Sequence, residues 1–100
     1  MRTSLAGHGA ALIATALLAL AGCAGAPVQQ MSDARQAINA AKAAGAADTA
    51  PEPLAQATES LANAEQALQR HDYRTARRKA EEAHAQAVTA LNLASKATRP

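Results

Sequence analysis

The apolar positions of this chain form one charge-free run and then three stripes of helical spacing. The run extends from Ala10 to Ala21 and includes Leu12, Ile13, Leu17, Leu18 and Leu20. Further on, Ala34, Ala37, Ile38, Ala41 and Ala44 recur at intervals of three and four, as one face of a helix requires. Ser32 is placed to cap that helix with Asp33 in its first turn, and Gly45 is placed to stop it. The pattern predicts a helix over about 32–45.

A break follows at Asp48-Thr49-Ala50-Pro51-Glu52-Pro53. Prolines are tolerated at a helix start and not deeper, and Glu52 there complements the helix dipole. Leu54, Ala57, Leu61, Ala64 and Leu68 then alternate three and four apart, a heptad seam that predicts a second helix over about 53–71. His71-Asp72-Tyr73 interrupts it, with Asp72 placed to cap a third helix over about 73–97. The seam of this last helix is Tyr73, Ala76, Ala80, Ala83, Ala87, Ala90, Ala94 and Ala97, widened by Val88 and Leu91. Two helices joined by so short a link run antiparallel. The predicted fold is all-α: a long antiparallel hairpin with the shorter first helix packed against it.

Composition changes this picture in one respect. The chain has 100 residues, no Phe, no Trp and one Tyr, Tyr73, so the stripes are mostly alanine. Alanine favours helix because it has no side-chain entropy to lose, but each buried methyl removes little area from water. At about 25 cal/mol per Å² such a core stabilises weakly, and a domain of this size is marginal without support. Alanine along the seam also lets helices approach closely. The formal net charge is +2, and Arg2 contributes to it from the leader, so the remainder is near neutral. Global charge therefore gives no argument for nucleic-acid binding.

The apolar run after Arg2 is too short to span a bilayer as a stable helix and ends in small residues, as a cleavable secretory leader does. It closes on Leu20-Ala21-Gly22-Cys23, with the only cysteine of the chain. This resembles the lipobox of bacterial lipoproteins, in which the thiol takes diacylglycerol as a thioether before cleavage in front of the cysteine. On that reading residues 1–22 are a signal peptide. Residues 23–31 are a lipidated cysteine and flexible tether, and residues 32–100 are an alanine-rich helical domain. The covalent lipid on Cys23 is the one attached group implied, and no cofactor is expected. Each buried methylene contributes about 0.8 kcal/mol, so two or three acyl chains hold a protein where one does not. The residue after the cysteine is Ala24, not the Asp associated with inner-membrane retention. The resemblance thus implies the outer membrane, with the polypeptide on its periplasmic face.

A wider resemblance covers the region after the leader. Pro27-Val28, then Met31-Ser32-Asp33-Ala34-Arg35-Gln36-Ala37-Ile38, Ala43-Ala44-Gly45-Ala46, a proline at Pro51 and the repeated Leu-x-x-Ala of the second helix come in order. They end in His71-Asp72-Tyr73-x-x-Ala76-Arg77. Together they resemble DUF4398, a family of small bacterial lipoproteins defined as a domain of unknown function. Some members of this type are joined to peptidoglycan-binding outer-membrane domains, which implies a cell-envelope role and assigns no activity. The Asp-Tyr-x-x-Ala turn also resembles the middle of a tetratricopeptide repeat. One hairpin is not an array, so only helical-hairpin geometry is carried over.

Candidate chemistry is sparse. Arg70, Arg74, Arg77, Arg78 and Lys79 crowd the start of the third helix. They read either as a contact for lipid-headgroup phosphate or an acidic polymer, or as a solvated face with Arg77 and Arg78 paired to Glu81 and Glu82. Glu81 and His84 share a face at i, i+3 but supply only two ligands, and a metal site needs three or four. Ser32, Ser60 and Ser95 show no strand-to-helix elbow and no orienting His and acid, and there is no Gly-rich phosphate loop. Tyr73 is expected to pack at the hairpin turn.

The expectation is a non-catalytic outer-membrane lipoprotein, acting through self-association or an envelope protein partner, with no nucleic acid or small-molecule substrate. The alternative is a small module binding anionic headgroups or envelope polymers through the basic helix face. Covalent attachment to peptidoglycan through a C-terminal lysine is disfavoured, because the chain ends Thr98-Arg99-Pro100 and Lys96 is internal.

Overall fold

A computed structural model describes residues 25–99; the leader, Leu20, Ala21, Gly22 and Cys23 lie outside them. Within that range the fold is all-α. Helix α1 spans Val28–Ala43, α2 spans Ala46–Thr49, α3 spans Pro51–Gln69 and α4 spans Tyr73–Ala97. Helices α3 and α4 form the expected antiparallel hairpin, seen in the Ser60 to Gln86 hydrogen bond of 2.8 Å and in Ala64 clustering with Ala80. Both α1 and α3 lean chiefly on α4.

The alanine seam of α4 is the shared wall. Ala76, Ala80, Ala83, Ala87, Ala90 and Ala94 are all fully buried, as the three-four spacing requires. Tyr73 and Ala97, at the two ends of that seam, are not. Ile38 and Ala41 of α1 and Leu54 and Ala57 of α3 pack with Ala87, Ala90 and Ala94 in the larger core cluster. Met31 packs near the other end, with Ala64 and Ala80. Met31 thus clusters with Ala80, and Ile38 and Ala41 with the later Ala87, Ala90 and Ala94, so α1 runs parallel to α4 and antiparallel to α3. An exposed ion pair, Arg35 to Glu65 at 3.4 Å, joins α1 to α3 and contributes little at such exposure.

Three expectations need correction. The first helix begins at Val28, not Ser32, so the segment 23–31 is not a flexible tether throughout. Pro27 is fully buried and stands at the N-cap position, its carbonyl accepting the Met31 amide at 3.0 Å. A proline just outside the first turn has no amide to leave unpaired and a φ already near the helical value. The extra turn buries Met31, one of the few large apolar side chains available. Ser32 consequently caps nothing. It lies inside the helix and accepts a hydrogen bond from Gln36 Nε2 at 3.2 Å.

The second correction concerns α3, which starts at Pro51 and buries Ser60 and Ala67 rather than Leu61 and Leu68. Leu61 and Leu68 flank the seam, half-buried. Where helix axes come close, small side chains occupy the line of contact and longer ones splay to its sides. Ser60 is tolerated there because its hydroxyl donates to Gln86 Oε1. The third correction is minor: Asp48 and Thr49 of the expected break belong with Ala46 and Ala47 to the single turn α2.

The stop at Gly45 and the cap at Asp72 are as expected. Gly45 has φ of +87°, a left-handed conformation that ends α1 and that glycine adopts without a Cβ penalty. Asp72 caps α4, its carboxylate accepting the Thr75 amide at 3.3 Å.

Close approach across an alanine wall makes a sharp test. Ala87→Leu is expected to destabilise the domain by about 1–3 kcal/mol through overpacking. Ala85→Leu, on the exposed side of the same helix, is expected to change it by less than about 0.5 kcal/mol. Urea unfolding followed by circular dichroism distinguishes the two.

Candidate functional site

The structure gathers most of the chain's chemistry at one pole of the bundle, around the α3–α4 turn. His71 continues from α3 with φ of +61°. Its amide is bonded to the Leu68 carbonyl at 3.0 Å, and the Asp72 amide to that of Ala67 at 2.9 Å. This left-handed stop throws the chain directly into the α4 cap. Tyr73, expected to pack at the hairpin turn, is half-buried and packs edge-on against His71 of that turn, with ring centroids 5.9 Å apart.

Five of the ten basic residues of the chain lie between Arg70 and Lys79, and the fold divides them. Arg70, Arg74 and Arg78 are exposed, and among the described residues they form no ion pair. Arg74, Thr75 and Arg78 border a small recess in the surface. Lys79 is half-buried and pairs with Glu82 at 3.2 Å, so Glu82 has a partner other than the Arg78 expected for it. Arg77 is also half-buried, and its Nη2 donates to the Gly25 carbonyl at 3.2 Å. That bond joins residues far apart in sequence and holds the N-terminal end of the described chain beside the basic turn. Sequence spacing groups these five residues but carries no signal that one of them reaches back to Gly25.

Asp72 is the one carboxylate within this cluster. Hydrogen bonds from the Thr75 side chain and backbone, followed by the fields of Arg70 and Arg78, hold its pKa below the ordinary value of 3.8. Hydrogen bonding to the charged form is the dominant cause.

Two other surface features complete the inventory. Gln30 and Asp33 of α1 line a surface crevice together with Glu81 and His84 of α4. The Glu81–His84 pair noted in the sequence thus gains neighbours, yet among the described residues no three His, Cys, Asp or Glu side chains are placed to hold a metal ion. Along α3, Pro51, Leu54, Ala55 and Ala62 line an open apolar groove bounded by Lys42 and Glu59. No helix among the described residues is long and apolar enough to cross a membrane.

The lowered Asp72 pKa fixes the sign of an acid dependence. Its contribution to stability is fully present above about pH 4, where the unfolded-state carboxylate is ionised, and is lost as pH falls through the depressed folded value. Asp72→Asn retains a neutral capping side chain and is expected to remove the share of Asp72 in that acid limb, lowering stability modestly at pH 7 and leaving it nearly unchanged at pH 2. Thermal unfolding from pH 2 to pH 7 measures both quantities.

No curated protein and no solved structure matches the chain. A family model does: that of the domain of unknown function DUF4398 matches residues 29–99, from the first turn of α1 to the end of the described chain. The whole bundle, basic turn included, falls within the match, and the chain belongs to the DUF4398 family.

Proposed function

We propose that this chain is a non-catalytic lipoprotein of the outer membrane. Cys23 carries the lipid, and the helical domain faces the periplasm in a structural or protein-interaction role. The observation that carries the reading is Leu20-Ala21-Gly22-Cys23, which follows a short apolar run at the only cysteine of the chain. It stands just ahead of a family domain that starts at residue 29. Ala24 after the cysteine favours the outer membrane.

The helical domain suits such a role. Thirteen of its sixteen buried apolar residues are alanine, so the area it removes from water is modest. Docking on an envelope protein, or on a second copy, adds burial that the single domain lacks. Two of the three serine candidates have structural partners instead: Ser60 donates to Gln86, and Ser32 accepts from Gln36.

Mass spectrometry of the protein isolated from envelopes tests the anchor. The expected species begins at Cys23 with a thioether-linked diacylglycerol, and Cys23→Ser is expected to keep the leader and lose that mass increment. A wild-type chain with an unmodified Cys23, or cleaved elsewhere, would overturn the reading.

A further inference from the structure

We propose that the hairpin pole, through Arg70, Arg74 and Arg78, docks on the anionic phosphates of the membrane surface in which the chain is anchored. In this arrangement Arg77 sets the orientation by holding Gly25. The inference rests on the reading of Cys23 as the lipid attachment point.

The first argument is topological. Helix α1 runs parallel to α4, so the chain enters the bundle at the same pole as the α3–α4 turn. Gly25 is fixed to Arg77 there, and the two residues back to Cys23 span at most about 7 Å. A lipid on Cys23 therefore brings this pole, and not the opposite one, to the headgroups. The buried Pro27 and the early start of α1 leave little slack for the domain to turn over.

The second argument is chemical complementarity. Arg70, Arg74 and Arg78 are exposed, without ion pairs among the described residues, and Asp72 is the one carboxylate from Arg70 to Lys79. Guanidinium groups bind phosphate through paired N–H donors. The N-terminal end of α4, positive by its helix dipole, points to the same pole. Near it Val28, in the first turn of α1, is 73% exposed, and Tyr73 is half-buried. An exposed aliphatic residue, an amphipathic ring and arginines at one pole suit a membrane–water interface. A merely solvated charge run has no reason to lie where the anchor enters.

Tyr73 is the only tyrosine in a chain with no tryptophan, so its fluorescence reports on this pole without labelling. The mature lipidated protein is placed on phosphatidylcholine vesicles with or without phosphatidylglycerol, each containing a headgroup-nitroxide lipid. Flotation with the vesicles is measured first, then quenching of Tyr73. Strong quenching is expected on the anionic vesicles, reversed by salt as the headgroup field is screened. Replacing Arg70, Arg74 and Arg78 together by Gln is expected to lower the docked-to-undocked ratio about a hundredfold while flotation persists. The matched change at Arg35, Lys42 and Arg99, which lie outside the cluster, is expected to leave quenching intact. Failure of the wild type to float would overturn the anchor and this inference with it. Flotation with quenching indifferent to salt and to the triple replacement would overturn the inference alone. Release by inorganic phosphate beyond that by chloride at equal ionic strength would also overturn it, in favour of a discrete phosphate ligand.

Discussion

The structure depends on how closely two helices can approach α4. Six consecutive seam positions of that helix carry only a methyl group, and each is fully buried. Methyl groups supply little transfer free energy apiece, but backbones brought together across them gain dispersion contacts along their whole length. The few larger buried side chains, Met31, Ile38 and Leu54, come from α1 and α3. They fill space around the wall that alanine leaves open. Fit, rather than hydrophobic area, is what this fold has in supply, and fit is sensitive to single carbons.

That constraint explains what could be read in advance. The α4 seam was legible because alanine recurs at intervals of three and four with almost no competing choice. Gly45 and Asp72 were legible because each does a job that few residue types can do: a left-handed stop and a side-chain cap. The α3 seam is hidden in the sequence because leucine outweighs serine in any hydrophobicity pattern. At a close crossing the ranking inverts, so Ser60 and Ala67 lie on the contact line and Leu61 and Leu68 beside it. The start of α1 is obscured in the sequence by Ser32, a residue type that commonly caps a helix. The better signal was Met31, three residues before Ala34 and continuing the same stripe, with Pro27 one turn ahead of it.

The basic residues show the same boundary between local and distant information. Their clustering is local and visible in the sequence. Their division is not, because Lys79 turns to Glu82 on its own helix whereas Arg77 reaches the Gly25 carbonyl. Only the parallel course of α1 and α4 brings Gly25 within range. That course follows from having one helix before the hairpin, with α2 serving merely as the corner between α1 and α3.

The same count of long helices has a mechanical consequence. With three of them in alternating directions, the two ends of the bundle lie at opposite poles, separated by the length of α4. Its 25 residues measure about 37 Å at 1.5 Å each. A pair of helices would have returned the chain to its starting point. Three make the domain a ruler: whatever meets its first residues and whatever meets its last are kept apart by a fixed interval, in a rod whose close alanine packing leaves little room to bend.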